Sequence, residues 1–213
     1  MEKIIVIDKP KGLTSNAMVQ LYKKRLKIKK IGHAGTLDPF ATGVLILLID
    51  QATKKFSSFL KLEKEYQMTI KFGMQTDTDD PEGKTIKKLA LTDQRLKITK
   101  AKLSKVLASF TGEYLQQVPK YSAVKFKGKP LYQYARQGIK VKLPVKKVKI
   151  KEIKLLSFKP LNQDKKNYPQ VKIKVICSSG TYMRSLAKDL GKKLNLPGMA
   201  TALRRTRIGN YQL

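Results

Sequence analysis

The stretch GHAGTLDPFATGVLILLI, residues 32 to 49, joins a glycine-rich segment to a run of six apolar residues. A short apolar run bounded by turn residues is consistent with a fully buried strand. We therefore predict a loop that leads into a buried strand beginning near Val44. Within the loop, Pro39 disfavours helical backbone at Asp38, and the glycines allow the chain to fold closely around it. The pattern predicts a carboxylate that is held in a defined position.

The charge of the chain indicates a polyanionic partner. Its 213 residues include 46 Lys and Arg against 15 Asp and Glu, which gives a formal net charge of +31. The hydrophobic fraction of 41% is that of a folded globular protein, and the length fits one domain. Because the positive charge is spread along the chain, nucleic acid is the first candidate partner, and an anionic membrane surface is the second.

The sequence also argues against several classes of protein. A membrane-spanning helix needs roughly 20 apolar residues, and the run at 44–49 is far shorter. The first residues, MEKIIVIDKP, do not resemble a signal peptide. With a single cysteine, Cys177, and a single histidine, His33, the chain has neither an internal disulfide nor a His/Cys metal cluster. We expect a cytoplasmic protein without a membrane span or a bound metal.

Periodicity and capping residues predict one mixed α/β domain. Alternating apolar residues predict a half-buried strand at 66–72, with further strands at 4–7, 148–155 and 171–177. Helices are predicted from Ser15 or Asn16 to about Leu26, from 99 to 110, and from a Thr181 cap to about 194. We expect residues 1–213 to form a single domain with a basic insertion at about 118–142.

Asp38 and His33 are the first candidate functional residues. An Asp before Pro can simply form a turn, but the surrounding positive charge favours an ionised carboxylate, which suits a nucleophile or a base. His33 lacks the second histidine or serine elbow of a catalytic triad, and it lacks partners for a metal. It is either an ordinary loop residue or a flat polar ring that replaces a base pulled from its stack.

Arg184, Tyr66 and an acidic loop are further candidates. With Thr181 as the N-cap, Arg184 is the third helical residue, where the helix dipole disfavours a cation. Either a buried carboxylate or an RNA phosphate compensates, or the arginine is exposed and tolerated. Tyr66 lies on the apolar face of its strand, so the pattern alone places it in the core. The loop DTDDPE lacks the spacing of a calcium-binding loop.

The basic insertion combines aromatic residues with cations. Lysines and one arginine, among them Lys125 and Arg136, alternate there with four aromatic residues: Tyr121, Phe126, Tyr132 and Tyr134. An ordinary amphipathic surface could show this pattern. Stacking on unpaired bases and following a phosphate backbone also require it, and the net charge favours this RNA-binding interpretation.

Six segments in collinear order resemble the bacterial tRNA pseudouridine-55 synthases, the TruB family. They are DKPKGLTSN at 8–16, GHAGTLDPFATGVL at 32–45, KEYQMTIKFGMQTDTDDPEG at 64–83, PKYSAVKFKGKPLYQYARQG at 119–138, CSSGTYMRSLAKDLG at 177–191 and LRRTRIG at 203–209. The resemblance covers essentially the whole chain, and six motifs in series are a specific signal.

The resemblance implies a pseudouridine synthase fold, with a mixed, largely antiparallel central sheet, flanking helices and a basic insertion that grips RNA. Asp38 matches the essential aspartate and Arg184 its partner. Tyr66 matches the tyrosine stacked on the target base, and His33 the histidine associated with base flipping. Further residues with an implied role in substrate binding are Lys9, Pro10, Tyr182, Leu203, Lys125, Arg136, Arg204 and Arg205.

We therefore expect a cofactor-free isomerase that converts uridine-55 in the T-loop of tRNA to pseudouridine. This chemistry needs one carboxylate and neither metal nor redox group. Asp38 could attack C1′ or C6 of the uridine, or remove the C2′ proton. We expect a monomer that recognises the T-stem-loop, without the C-terminal PUA domain that the family commonly has. The alternatives are a non-catalytic RNA-binding protein and a hydrolase, for which the sequence offers no paired acid and base.

Overall fold

The computed structural model describes residues 2–161 and 167–213, which form a mixed α/β structure around one large sheet. The α-helices are α1 (Ser15–Arg25), α2 (Phe56–Lys61), α3 (Lys100–Ala108), α4 (Leu131–Arg136) and α5 (Met183–Lys193). The strands are β1 (Glu2–Lys9), β2 (Ile31–Ala34), β3 (Thr42–Asp50), β4 (Lys64–Phe72), β5 (Met74–Thr76), β6 (Thr85–Lys88), β7 (Gly112–Gln117), β8 (Lys125–Phe126), β9 (Lys129–Pro130), β10 (Val145–Lys159), β11 (Gln170–Cys177), β12 (Gly198–Ile208) and β13 (Tyr211–Gln212). Short 3-10 helices lie at Gln51–Lys55 and Gln94–Leu96. None of the helices in these residues is long and apolar enough to cross a membrane.

The central sheet is largely antiparallel, as the resemblance implies. Within the described residues its order is β1-β3-β12-β4-β11-β10-β7, with β2 pairing with β3 and β13 with β12. One neighbouring pair, β12 and β3, is parallel, and it meets at Arg204–Thr42 and Arg205–Gly43. This parallel contact places β12 directly beside the end of the loop that carries Asp38.

Strand β3 confirms the predicted buried strand, because both of its faces are covered. One face packs in a cluster with Phe59 of α2, and the other packs against Met18 and Val19 of α1. Burying one large apolar side chain stabilises a protein by about 1.5–3 kcal/mol. The residues Val44 to Ile49 are all buried, so β3 is a firmly held support immediately after the Asp38 loop.

The largest core lies between the sheet and helices α3 and α5. In β4 every second residue is buried, as its alternation predicts. On α5, Leu186 and Leu190 are fully buried in this core. Leu37 and Phe40, on either side of Asp38, belong to the same cluster. The loop that carries the carboxylate is therefore anchored by apolar contacts on both sides.

Both predicted helix caps differ from the structure. Thr14, and not Ser15 or Asn16, caps α1, since its Oγ1 accepts a hydrogen bond of 3.0 Å from the N–H of Ala17. The N-cap of α5 is Tyr182 instead of Thr181. The Thr181 hydroxyl is engaged elsewhere, because it donates to the carbonyl of Ser178 at 2.8 Å.

Strands β2 and β12 are not predicted by the sequence patterns. Residues 32–34, which were expected in the loop, pair with β3 as part of β2, so the loop proper begins at Gly35. In β12 the pairing with β4 shifts between Ala200 and Ala202, and again between Arg205 and Arg207. Such bulges interrupt the period of two by which a strand is identified in a sequence.

The basic insertion folds around its own aromatic residues. Strands β8 and β9 form a hairpin that leads into α4. The rings of Phe126 and Tyr134 meet edge to face with centroids 6.0 Å apart, and the Tyr134 hydroxyl donates to Phe126 O at 3.1 Å. These two half-buried rings hold the insertion together, so they are not free to stack on RNA bases as the sequence pattern suggests. Tyr132 is also engaged, since the Arg136 guanidinium lies 5.3 Å from its ring centroid.

Candidate active site

Asp38, in the loop between β2 and β3, is held by Arg184 from the first turn of α5. The guanidinium donates from Nε to Asp38 Oδ2 at 2.8 Å and from Nη2 to Asp38 Oδ1 at 3.0 Å. Two parallel hydrogen bonds of this kind fix the plane of a carboxylate as well as its position. The Asp38 side chain is 32% exposed, whereas that of Arg184 is 6% exposed. The carboxylate is therefore oriented from the interior and open to a substrate.

The other contacts of Arg184 join two loops to the site. Its Nη1 donates to Thr78 O at 2.9 Å, and its Nη2 donates to Tyr121 O at 2.8 Å. Burial opposes the charge of Arg184, but the carboxylates of Asp38 and Asp80 outweigh this effect, so its pKa is raised. Arg184 is the second helical residue and not the third. A buried ion pair nevertheless compensates its charge, which was one of the open alternatives.

The acidic loop between β5 and β6 supports Arg184 from behind. Asp80 Oδ2 lies 3.6 Å from Arg184 Nη1, and both side chains are almost completely buried. Thr78 Oγ1 donates to Asp80 Oδ1 at 2.6 Å. Burial raises the pKa of Asp80, while the Thr78 hydroxyl and Arg184 oppose that rise. The sequence patterns assign no role to this loop, although its carboxylates stand out in so basic a chain.

Hydrogen bonds from the first turn of α1 fix the backbone around Asp38. The Ser15 hydroxyl accepts from Leu37 N at 2.8 Å and donates to Leu37 O at 3.1 Å. On the other side, Gly12 N donates to Pro39 O at 2.8 Å. Ser15 has no predicted role in the site, since a serine at a helix start is expected to be a cap.

Lys9 and Pro10, for which the resemblance implies a role in substrate binding, lie directly beside this loop. Lys9 is fully buried, and its Nζ donates to Pro10 O at 2.8 Å, to Leu13 O at 2.6 Å and to Pro39 O at 3.3 Å. Burial lowers the pKa of Lys9. An ammonium group has three N–H donors, and each of them has a carbonyl partner here. Lys9 therefore orders the loop and presents no free ammonium to RNA.

Arg205 fastens the same loop from β12, which does not fit the RNA contact expected for it. It is 1% exposed, and it donates from Nε to Val44 O at 2.8 Å and from Nη2 to Gly35 O at 2.9 Å. Beside it, Gly43 has a φ of +104°, and a Cβ at this position would lie 2.2 Å from Arg205 O. Only glycine allows β12 to approach so closely. Arg205 thus supports the Asp38 loop from the interior.

Three further candidates lie on the strands around the loop. Tyr66 and Leu203 are buried in the same core cluster as Leu37. Burial raises the pKa of Tyr66, so its hydroxyl keeps its proton. Burial, assisted by Arg205, lowers the pKa of His33. The His33 Nδ1 is buried and has no hydrogen-bond partner in residues 2–161 and 167–213, which leaves a neutral ring with an unused polar atom.

Tyr182 is the N-cap of α5, and the side chain of Gln116 in β7 binds its backbone. Gln116 Oε1 accepts from Tyr182 N at 2.8 Å, and Gln116 Nε2 donates to Tyr182 O at 3.0 Å. Gln116 is 1% exposed. Because Arg184 follows two residues later, this amide fixes the start of the helix that orients Asp38. The sequence gives no signal for Gln116, since its partner lies 66 residues away.

The remaining candidates for RNA contact lie at the surface. Lys125 and Arg136 are exposed in the insertion. Arg204 is 43% exposed and pairs with Asp8 through two hydrogen bonds of 3.0 and 2.7 Å. Exposed pairs of this kind are weak, so the guanidinium of Arg204 can exchange Asp8 for a phosphate.

Chemically, the site offers one oriented carboxylate that is backed by a buried guanidinium. Such a group suits a nucleophile or a base, and the flat rings of Tyr66 and His33 suit a planar substrate. Asp80 is the carboxylate that shares Arg184 with Asp38, and its side chain is only 5% exposed. Asp80 is therefore not available as the second open carboxylate with which a hydrolase positions water.

Comparison with known proteins agrees with this geometry. The model of the TruB family pseudouridylate synthase (N terminal domain) matches residues 23–183. The tRNA pseudouridine synthase B of Mesoplasma florum is 43% identical over 209 residues, which cover 98% of this chain and 69% of that protein. The enzyme of the same name from Aromatoleum aromaticum is 42% identical over 213 residues, or 100% of this chain and 65% of that protein.

Solved structures show the same fold. A chain in the crystal structure of a Cbf5-Nop10-Gar1 complex superposes with a TM-score of 0.72 and 28% identity, over 98% of this chain and 49% of that one. A chain in the structure of an H/ACA RNP bound to a substrate RNA containing 2′-deoxyuridine superposes with a TM-score of 0.69 and 25% identity. The match covers 98% of this chain and 48% of that one. This chain spans about half the length of these solved chains and about two thirds of the first curated relatives. It has the pseudouridine synthase fold, and with its family match and its identity to curated relatives over the whole chain, it belongs to the TruB family of pseudouridylate synthases.

Proposed function

We propose that this chain isomerises uridine-55 in the T-loop of tRNA to pseudouridine, with Asp38 as the catalytic carboxylate. The observation that carries the proposal is the two-bond hold of Arg184 on a carboxylate that stays 32% exposed. A carboxylate that only formed a turn would need no buried arginine. Membership of a family whose curated relatives are named tRNA pseudouridine synthase B supports the choice of substrate.

The reaction breaks the N1–C1′ glycosidic bond, turns the uracil and joins C5 to C1′. The proton on C5 leaves, and N1 gains a proton, so there is no net oxidation or reduction. Attack of Asp38 on C1′, attack on C6 and removal of the C2′ proton each require an ionised carboxylate. Arg184 fixes the plane of the carboxylate, which brings the reacting oxygen to one defined place.

The residues around Asp38 fit the task of holding an extruded base. Taking a nucleotide out of a folded loop costs a few kcal/mol of stacking. We assign His33 to the space that the base leaves, because its neutral ring has a buried and unused Nδ1. Tyr66 stacks on the extruded uracil with its protonated hydroxyl. Tyr182 and Leu203 complete the wall of the pocket.

The RNA is gripped outside the pocket by exposed cations. Lys125 and Arg136 of the insertion, together with Arg204, are placed to neutralise phosphates. Lys9 and Arg205 act through the Asp38 loop and do not contact RNA. We propose the T-stem-loop as the recognised element, and residues 1–213 as one catalytic unit that acts as a monomer in the cytoplasm.

The test of this function is the variant Asp38→Asn. The change is nearly isosteric and removes the ionised oxygen, so isomerisation should be abolished while tRNA affinity stays within a few-fold. Tritium release from uracil C5 measures turnover on unmodified tRNA and on a T-arm hairpin, and carbodiimide-directed primer extension locates the product.

The matched control is Asp93→Asn, which removes a carboxylate that is 21% exposed and paired with Arg95. It should retain activity. Turnover by Asp38→Asn would remove the catalytic assignment. Release of free uracil by the unaltered protein would indicate a hydrolase instead.

A further inference from the structure

The sequence KKRLKIKK, residues 23–30, places six cations in eight residues at the end of α1 and in the turn to β2. All six of these side chains are exposed. An open concave surface of about 520 Å³ is lined there by Gln20, Lys23, Lys24, Lys27, Ile28 and Lys29. Lys27 has a φ of +52°, a backbone conformation uncommon for residues other than glycine. The turn thus gathers four lysines around one concavity.

Ordinary stabilisation of the helix does not account for this density of charge. The cations at 23–25 occupy the last turn of α1, where the helix dipole favours them. Those at 27, 29 and 30 lie beyond the helix, where this effect has faded. Within residues 2–161 and 167–213, no salt bridge joins any of the six to a carboxylate. The cluster is an uncompensated positive patch, and a polyanion would relieve its internal repulsion.

A second basic region of the surface shows the contrast. A cavity of about 820 Å³ beside α5 has Arg95, Lys188 and Lys192 among its lining residues. Each of these three cations pairs with an aspartate, at 2.7, 3.7 and 3.1 Å respectively. Their charges are balanced within the protein. Lys87 and Lys88 also line this cavity, and no salt bridge within the described residues involves them. The cavity therefore has two unbalanced cations, against the four lysines around the concavity of the 23–30 turn.

The surroundings of the turn favour RNA over a membrane surface. A helix that lies on a membrane needs a free apolar face next to its cations. In α1 the apolar residues Met18 and Val19 are buried against Ile7, Leu45 and Leu47 of the sheet. With that face covered, Leu21 and Leu26 are the exposed large apolar side chains next to the cations, and two separate leucines do not form the continuous apolar face that a membrane-bound helix needs.

We propose that the 23–30 turn is a phosphate-binding surface for RNA outside the catalytic cleft, an inference that rests on the proposed function for the identity of the RNA. Lys30 precedes Asp38 by eight residues, so the two lie at most about 28 Å apart along an extended chain. A tRNA whose target nucleotide reaches Asp38 thus has phosphates within reach of the turn. The described residues that line the concavity include no aromatic ring, so the contact adds affinity without reading bases.

The experiment measures tRNA affinity against salt for the triple variant Lys24→Gln, Lys27→Gln, Lys29→Gln. Each lost phosphate contact reduces the steepness of the plot of log binding constant against log salt concentration by about 0.7–0.9. Three lost contacts should therefore reduce this slope by about 2–3. Binding at 0.1 M salt should weaken roughly a hundredfold, and binding near 1 M salt should hardly change. The matched control is Lys100→Gln, Lys102→Gln, Lys105→Gln, which removes the same charge from exposed positions of α3.

A lower slope in the 23–30 variant, with little change in the α3 variant and equal thermal midpoints, supports the proposal. An unchanged slope, or an equal drop in both variants, overturns it. Vesicles containing phosphatidylserine form a parallel arm: loss of vesicle binding with an unchanged tRNA slope would assign the turn to a membrane and also overturn it. Isomerisation of the same tRNA by the unaltered protein is assayed alongside, so failure of the proposed function is recognised separately.

Discussion

Replacing Arg184 with lysine keeps the charge but removes the guanidinium fork, the two N–H groups that bind both oxygens of Asp38. The variant therefore tests whether the orientation of Asp38 matters for the reaction. Arg184 makes two hydrogen bonds to Asp38, of 2.8 and 3.0 Å, and one each to Thr78 O and Tyr121 O. A lysine ammonium is a single point and cannot span both carboxylate oxygens and both carbonyls. At least two of these charge-assisted bonds are lost, and each contributes about 1.5–3 kcal/mol.

We therefore expect Arg184→Lys to lose about 3–5 kcal/mol of transition-state stabilisation, which is a fall in kcat of roughly 10²- to 10⁴-fold. The assay is tritium release from C5 under single-turnover conditions, with enzyme in excess over tRNA, so that binding does not limit the rate. Affinity for tRNA is measured in parallel. It should change only a few-fold, because Arg184 is buried and does not face the RNA backbone.

The matched control is Arg95→Lys. Arg95 also makes a two-oxygen contact with an aspartate, Asp93, but its side chain is 47% exposed. The same chemical change at this open site should leave kcat within about twofold. If Arg184→Lys kept kcat within fivefold of the unaltered protein while folding normally, the fork would not be what orients Asp38, and the reasoning would fail.

Two further predictions concern the support of the site. Gln116→Ala should lower the free energy of unfolding by about 1–3 kcal/mol, because the backbone N–H of Tyr182 loses its partner while Tyr182 O keeps only Leu186 N, and it should lower kcat; Gln117→Ala, at an exposed neighbouring position, should do neither. Lys64 has its pKa lowered from 10.5 to about 8 by burial, with Arg205 assisting. The unfolded chain then binds more protons between pH 8 and 10.5, so the free energy of unfolding should rise with pH across this window. Chemical denaturation of Lys64→Met should show a smaller rise, and an equal rise would contradict the pKa.

The sequence predicts those parts of the fold that follow from a regular pattern. Strand β4 alternates along its whole length, and β3 is an unbroken apolar run, so both are found where the patterns place them. Strand β12 is missed because bulges break its alternation and three arginines interrupt its apolar residues. Strand β12 matters because it lies between β3 and β4 in the sheet. The sequence of one segment does not show which strands it will pair with.

Within the site, the sequence predicts the residues that carry the motif, and the resemblance implies Arg184 as the partner of Asp38, but the other residues that hold the site are missed. The glycines and Pro39 indicate that Asp38 is positioned, but the groups that position it come from elsewhere in the chain. Ser15, Gln116 and Asp80 reach their partners only in the folded protein. The burial of Arg205 was also missed, because an arginine in a basic segment is expected at the surface.

Buried cations have an unusual function in this protein. The loop that carries Asp38 runs between β2 and β3, so its carbonyl groups need partners other than the ladder of the sheet. Arg205 binds Gly35 O and Val44 O, and Lys9 binds Pro39 O. Burying such charges gives little net stability, since desolvation offsets what the hydrogen bonds contribute.

These contacts fix the position of the loop that carries Asp38. Lys9, Ser15 and Arg205 come from three separate elements, and Arg184 adds a fourth, so the loop can shift only if several packed elements shift together. Orientation within a fraction of an ångström is what a reaction at one ribose or uracil atom requires. Burying these cations adds little stability, but under the proposed function it provides a carboxylate that needs no rearrangement when the nucleotide arrives.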